Sequence, residues 1–409
     1  MDNFDVVVVG GGPVGENVAG RVVQGGLSAV LVESERYGGE CSYWACMPSK
    51  ALLRPGQVLS QARRMPGVEV ADRLDAEAVL RRRNSFTSDW DDSGQVDWAR
   101  GAGIALARGR GRITGPREVT VDGPDGERVL TASRAVVVCT GSVPVRPTID
   151  GIDRVEVWGT RQATSAQRVP RRLAVLGGGV AGVELAQAWS SLGSEVTLVA
   201  AGERLLDRFE DIAGELVRDG LRANGVTVRL GATAQRVSRN DAGVELTVST
   251  GERVVADEFL VATGRRPASD DIGVDTVGLK PEDALHVDDS GVVEAVDGGW
   301  LYAAGDVTAR APVTHQGKYE GRVVADVIVA SARGEQVDAA PWSRYAATAD
   351  HGCVPQVVFT DPEVASVGRT SMQARRERIA NRVVDLDIAV AGSALHSDGY
   401  TGRVRMVVD

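Results

Sequence analysis

Cysteine is scarce in this sequence: four residues among 409, too few for a framework of structural disulfides and ordinary for a reducing compartment. Positive charge is also in short supply. Lysine and arginine total 46 against 56 aspartates and glutamates, a formal net charge of −10, and a nucleic-acid partner would require a basic face that this balance does not offer. The one basic run, Arg81-Arg82-Arg83, falls in a stretch that reads as an exposed helix, where a solvated face accounts for it. No apolar run reaches the length of a membrane span, and Met1-Asp2-Asn3-Phe4-Asp5 lacks the positive start of a secretory signal. Low-complexity segments are missing too. What remains is a cytoplasmic globular protein, 43% hydrophobic, long enough for two or three domains whose cores need no covalent staples.

Glycine, by contrast, is placed with a pattern. The apolar run Phe4–Val9 leads into Gly10-Gly11-Gly12-Pro13-Val14-Gly15, a helix-like stretch, and a second strand, Ala29-Val30-Leu31-Val32, that ends at Glu33. Residues 173–176 repeat the scheme with Gly177-Gly178-Gly179-Val180-Ala181-Gly182, a helical stretch to Leu192 and the strand Glu195–Val199. Unbroken β-branched runs suit strands covered on both faces, so each unit reads as a Rossmann βαβ. In each, the first glycine permits the tight turn, the second lets the backbone approach a pyrophosphate, and the third lets helix and strand pack closely; the helix N-terminus offers free N–H groups. Two such units mean two dinucleotides. Glu33 stands where a carboxylate can accept the ribose hydroxyls of an adenosine. The corresponding place in the second unit is Ala200-Ala201, with Arg204 the nearest cation, which removes the discrimination against a 2′-phosphate and favours NADPH over NADH. Residues 345–409, with short strands at 354–359 and 404–408, read as a separate α+β domain.

Cys41 and Cys46 lie in Gly38-Gly39-Glu40-Cys41-Ser42-Tyr43-Trp44-Ala45-Cys46-Met47-Pro48-Ser49-Lys50. Their spacing does not match a zinc site and no second ligand pair accompanies them, so no metal is expected. In an ideal helix, residues five apart have Cα atoms about 8–9 Å apart, beyond the roughly 4.4–6.8 Å that a disulfide needs. Pro48, however, lacks the N–H that would bond the carbonyl of Trp44, so a distorted segment, and with it a bridge, is open. Cys139 and Cys353 stand alone and read as small buried core residues.

The cysteine segment resembles the G-G-x-C-x-x-x-x-C-x-P-S-K signature of the flavoprotein pyridine nucleotide–disulfide oxidoreductases, which include dihydrolipoamide dehydrogenase, glutathione reductase, mycothione reductase and mercuric reductase. Val138-Cys139-Thr140-Gly141-Ser142 and Val261-Ala262-Thr263-Gly264-Arg265-Arg266-Pro267 are similar to the family's A-T-G segments. Leu301–Asp306 is similar to its second FAD fingerprint, and Phe359–Glu363 to the start of its interface domain. The resemblance implies an α/β fold: an FAD domain over 1–150 and 269–340, an NAD(P) domain over 151–268, and an α+β interface (dimerisation) domain over 345–409. It implies FAD and NADPH or NADH as cofactors, a small-molecule disulfide or dithiol as substrate, and a homodimer. By the same token Cys41 is the thiol that exchanges with substrate and Cys46 the thiol beside the flavin, with Lys50 and Glu184 an ion pair near the flavin's reactive nitrogen. Gly10, Gly12, Gly15, Glu33, Gly39, Lys50, Gly111, Thr140, Gly141, Asp306 and Thr314 are implied cofactor contacts, Glu33 at the adenosine ribose and Asp306 at the ribityl chain of FAD. Gly177, Gly179, Gly182, Gly264 and Arg265 are implied contacts of the dinucleotides.

Three departures stand out. Ser42-Tyr43-Trp44-Ala45 is bulky where relatives carry small or amide residues, and is expected to reshape access to Cys41. Val180 occupies a position where many relatives have a tyrosine and mercuric reductases tend to have valine; Glu184–Ala188 and Leu192-Gly193-Ser194 are similar to theirs as well. The chain stops at Asp409, before the segment that carries the family's acid/base histidine, and none of His286, His315, His351 and His396 takes that place. His315 falls at a flavin-side position, with a core role the alternative. An incomplete interface domain leads to the expectation of weakened disulfide turnover and a compromised dimer. Two further readings stand beside the disulfide oxidoreductase: a flavin diaphorase or quinone reductase whose cysteines are incidental, and a truncated, non-catalytic FAD-binding protein.

Overall fold

The structure, a computed structural model, describes residues 2–124, 126–389, 391–395 and 398–409. The chain divides into two units: Met1–Tyr43, Ser88–Val145 and Arg265–Val354 form one; Trp44–Thr87, Arg146–Gly264 and Pro355–Asp409 form the other.

In the first unit, β1 (Asp2–Val9) is the centre of a sheet, flanked in parallel by β2 (Ala29–Glu33) and by the strand Gly126–Val138. The strand Ala105–Arg108 extends it beyond β2, Leu301–Ala303 adds in parallel to Gly126–Val138, and two antiparallel strands complete the far edge. The continuous valine run of β1 is explained by its two covered faces. Val6 and Val8 pack with α1 (Pro13–Gln24) through Val18 and Val22 and with the helix Thr314–Ala332 through Val323 and Val327. Val7 and Val9 face Ile113, Val119 and Leu130 on the other side. Proline opens α1, where its fixed φ is favourable and its missing N–H costs nothing.

The second unit has its own parallel sheet, in the order Thr227–Arg229, Glu195–Val199, Arg172–Leu176, Glu258–Val261. Val175 turns to one side, against Val183, Ala186 and Trp189 of the helix Val180–Ser191; Ala174 and Leu176 turn to the other, against the meander Ala234–Asn240, Gly243–Val248, Arg253–Ala256. The same unit contains α3 (Cys46–Arg63) and α4 (Ala76–Phe86), which follow α2 (Gly39–Tyr43) of the first unit in sequence. It also holds two antiparallel pairs, Gln356–Val358 with Val364–Ser366 and Arg382–Asp387 with Arg403–Val408. No helix among the described residues is long and apolar enough to cross a membrane.

Two expectations are corrected. The run Arg81–Arg83 is not a uniformly solvated face: Arg81 pairs loosely with Glu77 at 3.5 Å in water, whereas Arg83 is fully buried. Successive helical residues point about 100° apart, and Arg83 falls on the stripe of Val79 and Leu80 that enters the core. Its guanidinium donates to the carbonyls of Thr164 and Ala166 and to Asn84 Oδ1, and burial pulls its pKa down to about 10. Cys353 is exposed and not a core residue, because it lies in the loop that precedes the short strand Gln356–Val358; Cys139, at the end of the strand Gly126–Val138, is buried as expected.

Candidate active site

The two glycine turns have the same internal geometry. Gly10 sits at φ +110°, and a Cβ there would lie 2.4 Å from the carbonyl oxygen of Cys139; a Cβ on Gly15 would lie 1.9 Å from that of Gly10. In the second turn, Gly177 at φ +124° would meet the carbonyl of Ala262 at 2.3 Å, and Gly182 that of Gly177 at 2.0 Å. The first and third glycines are therefore demanded by the fold itself. The middle ones are not. A Cβ on Gly12 has nothing nearer than 3.9 Å, and one on Gly179 nothing within 4 Å, so each turn keeps open space in front of a helix N-terminus. That is the cradle a pyrophosphate fits.

Glu33 closes the first cradle. Its Oε2 accepts the N–H of Gly11 at 2.8 Å and its Oε1 that of Glu35 at 2.7 Å, leaving one further lone pair on each oxygen for hydroxyls. Burial holds its pKa above the usual carboxylate range, against these two N–H bonds. In the second unit the strand ends at Val199, followed by a buried Ala200 and an exposed Ala201; Arg204 donates to the nearby carbonyl of Asp207, at 3.4 Å.

Elsewhere in the first unit, Asp306 follows Gly305 (φ +82°) and accepts from the hydroxyl of Ser142 at 2.6 Å. Gly141 lies at φ +76° with open space around its Cα, and Thr140 donates to the carbonyl of Ala268 at 2.7 Å. Gly39 packs on the first turn, where a Cβ would come 2.7 Å from the Cα of Gly12. Gly111 is a packing glycine, 2.9 Å from Val32 Cγ1 by the same measure. Thr314 opens the helix Thr314–Ala332. Gly264, in the second unit, is at φ +139° with open space.

The cysteine segment is not one helix. α2 ends at Tyr43 and α3 begins at Cys46, with Ala45 at φ −131° and ψ −94° between them, so the spacing of an ideal helix does not apply. Cys41 and Cys46 are each half-buried. Pro48 does free the carbonyl of Trp44, and the structure supplies its partner: Thr164 Oγ1 donates to it at 2.8 Å. Tyr43 and Trp44, the bulky residues between the cysteines, are both buried. Tyr43 is buried in the first unit, its carbonyl accepting from Trp90 Nε1 at 3.1 Å. Trp44 is buried in the second, with the guanidinium of Arg161 stacked 4.0 Å from its ring centre.

One turn into α3, Lys50 Nζ lies 2.7 Å from Glu184 Oε2. The other carboxylate oxygen accepts the N–H of Phe359 at 2.9 Å, and the ammonium sits 4.8 Å from the Phe359 ring centre. Glu184 is thus buried but bonded at both oxygens.

Of the histidines, His286 and His315 are exposed, which removes the core alternative for His315. His351 Nε2 lies 2.7 Å from Asp289 Oδ1, and His396 lies outside the described residues. Two carboxyls were missed in the sequence. Glu16, directly after the third glycine of the first turn, has a buried Oε1 with no hydrogen-bond partner among the described residues, and burial lifts its pKa to about 7 despite Lys318. Glu320 accepts the N–H of Gly305 at 2.6 Å, and burial, with Asp350 nearby, lifts it to about 7 as well. Only the position of Glu16 beside the glycine turn could have signalled either.

A family model described as "Pyridine nucleotide-disulphide oxidoreductase" matches residues 4–334, and the model of that family's dimerisation domain matches residues 354–409. The chain belongs to this family. It is 32% identical to a dihydrolipoyl dehydrogenase of Haloferax volcanii over 99% of its length and 84% of the relative's, and 27% identical to a mercuric reductase of Lysinibacillus sphaericus, covering 100% of this chain and 72% of that one. Among solved structures it is similar to the HOCl-induced flavoprotein disulfide reductase RclA of Escherichia coli, with a TM-score of 0.82 at 25% identity, covering 99% of this chain and 86% of the other. Members of the family are FAD flavoproteins that use NAD(P)H and act on sulfur groups, and this oxidoreductase shares their cofactors and its α/β fold with them.

Proposed function

We propose that this family member passes electrons between NAD(P)H and a small-molecule disulfide or dithiol through Cys41 and Cys46. The observation that carries the reading is the break at Trp44-Ala45, which puts Cys46 at the head of α3 and Lys50, with its buried counter-ion Glu184, on the same face one turn later. In this reading the first cradle, with Glu33 and Asp306, holds FAD and the second holds the nicotinamide dinucleotide. Bound FAD supplies the two-electron relay from NAD(P)H to the cysteines. The chain's own residues then do the exchange. Cys41 thiolate attacks one sulfur of the substrate, and the first thiol leaves with a proton. Cys46 thiolate attacks Cys41 in the mixed disulfide, which releases the second thiol and restores the Cys41–Cys46 bond. One NAD(P)H and one proton are consumed for two thiols formed; a dithiol substrate runs the same steps in reverse, as the name of the Haloferax relative implies for that protein. Ala200-Ala201 in place of a carboxylate supports NADPH as the better reductant, and the dimerisation domain supports a homodimer. A cytoplasmic site fits the cysteine usage.

Anaerobic titration with NADPH and with NADH tests this. A long-wavelength thiolate–flavin band is expected at two electrons per flavin, and Cys46→Ser should abolish both the band and disulfide reduction while sparing dye reduction. Full disulfide turnover by Cys46→Ser would overturn the role given to Cys46, and dye reduction with neither the band nor disulfide turnover in the unmodified protein would move it to the diaphorase reading.

A further inference from the structure

Glu40 directly precedes Cys41 in α2, a helix of only five residues. So short a helix has no stability of its own, because one turn fixes more dihedrals than its hydrogen bonds repay. Its placement comes from tertiary contacts: Gly39 against the first glycine turn, buried Tyr43 with its carbonyl bonded by Trp90, and the side chain of Glu40. Glu40 Oε2 lies 2.5 Å from Nη2 of Arg265, with both side chains about one-third exposed. The same guanidinium donates through Nε to Ser142 Oγ at 2.8 Å and through Nη2 to the carbonyl of Ser142. The Ser142 hydroxyl, its lone pair taken by Arg265, gives its proton to Asp306 Oδ2 at 2.6 Å. Asp306 is itself set by Gly305, whose N–H is held by Glu320. All of these groups belong to one unit. They form an unbroken chain of charge-assisted bonds from the neighbour of Cys41 to the aspartate of the second FAD fingerprint.

We propose that Arg265 is a positioning residue for Cys41: its planar fork pins Glu40, and with it the short helix that carries Cys41, to Ser142 and Asp306. The inference rests on the reading of Cys41 as the substrate-facing thiol. A point charge on a flexible stem could pair with Glu40 but could not also take both atoms of Ser142, so the site calls for arginine and not lysine. Arg265 also offsets the carboxylate of Glu40, the residue adjacent to a thiol that must ionise to attack. Asp92, Glu16, Arg36 and Asp91 also act electrostatically on Tyr43, the last residue of α2.

The test uses NAD(P)H-reduced holoenzyme, normalised to bound flavin, and follows alkylation of Cys41 by iodoacetamide against pH, with the modified residue located by mass spectrometry. Arg265→Gln should raise the midpoint by about one pH unit, roughly tenfold in rate at neutral pH, the size expected when the cation that offsets a carboxylate beside a thiol is removed. Glu40→Gln should lower it, and the double variant should return close to the unmodified protein. Arg265→Lys should not restore full disulfide turnover. Ser142→Ala changes no charge but cuts the tie, and should slow disulfide turnover several-fold at an unchanged midpoint; with Glu40→Gln it decides the matter where Arg265→Gln does not accumulate. Midpoints that stay put or move in the same direction in Glu40→Gln and Arg265→Gln, or wild-type turnover in Ser142→Ala, overturn the clamp. Full disulfide turnover by Cys41→Ser instead overturns the underlying reading of the cysteine, so the two failures are told apart.

Discussion

Replacing Lys50 by methionine should destabilise the protein more than replacing Glu184 by glutamine, although both remove the same ion pair. The difference comes from where each charge sits. The Glu184 side chain is 4% exposed, that of Lys50 37%. Without Lys50 a carboxylate stays in the interior, still accepting the Phe359 N–H. Breaking a fully buried pair this way costs about 3–5 kcal/mol, and the partial exposure of Lys50 brings the expected loss to about 2–3 kcal/mol. Without the Glu184 charge the glutamine oxygen still accepts from Phe359 and the ammonium turns to water, so the loss is about 1 kcal/mol. The double variant should resemble Glu184→Gln, which gives a coupling energy of about 1–2 kcal/mol in the cycle. Urea denaturation of the FAD-saturated protein at pH 7, followed by circular dichroism with equal m-values across the set, measures all four. A Glu184→Gln loss equal to or above that of Lys50→Met would refute the reasoning, since it would mean that the carboxylate is not the buried partner.

Glu16→Gln should stabilise the protein relative to the parent increasingly between pH 5 and 8. The folded pKa of Glu16 lies above the unfolded value of 4.5, at about 7, so its contribution is intact below 4.5 and is lost as pH rises through 7; the gap can reach about 3 kcal/mol, read from urea midpoints at the two ends. A gap that does not change with pH counts against a buried, protonated Glu16. Thr164→Val should cost about 1–3 kcal/mol, because it strands the carbonyl that Pro48 freed at Trp44, while Thr164→Ser should cost less; equal losses in denaturant would show that the hydroxyl bond is not the cause. Gly179→Ala should leave the melting temperature unchanged, since its Cβ meets nothing within 4 Å, yet raise KM for the nicotinamide substrate about tenfold. Wild-type KM in that variant would place the dinucleotide elsewhere.

Local signals in this chain were legible and long-range partners were not. The valine run of β1 and the two glycine turns carry their own explanation, because strand burial on two faces and a backbone carbonyl in the path of a Cβ are written in a few consecutive residues. Pro48 announced a break in the cysteine helix for the same reason. What accepts the consequences of that break, Thr164, lies 120 residues away and has no motif. Arg83 reads as one of three equivalent arginines until the helix is wound, and only then does one of them face the core. Sequence shows the size of Tyr43 and Trp44 and not their direction; each is buried in its own unit and held there. Glu40 and Arg265, more than two hundred residues apart, meet because the strand Ser142–Pro144 pairs with Arg265–Pro267.

A common rule governs the acids of this protein, and its exceptions are informative. Asp326, Glu184 and Asp350 are buried, with side chains 9%, 4% and 1% exposed, and each has a cation at its rim: Arg21, Lys50 and Arg310, themselves 38%, 37% and 18% exposed. Long basic side chains can keep their heads near water while covering a buried carboxylate, which limits the desolvation of the pair to one partner. Glu16 and Glu320 break the rule. Neither is in an ion pair among the described residues, and the nearby cations, Lys318 for one and Arg310 for the other, act at a distance without offsetting burial. Both sit on the elements that would hold FAD: Glu16 in the first turn behind Gly15, Glu320 against the N–H of Gly305. A carboxyl left without a cation can take a proton near neutral pH, and beside a phosphate-binding turn an uncharged acid adds no repulsion to an arriving anion, where an ion pair would have fixed the charge in place.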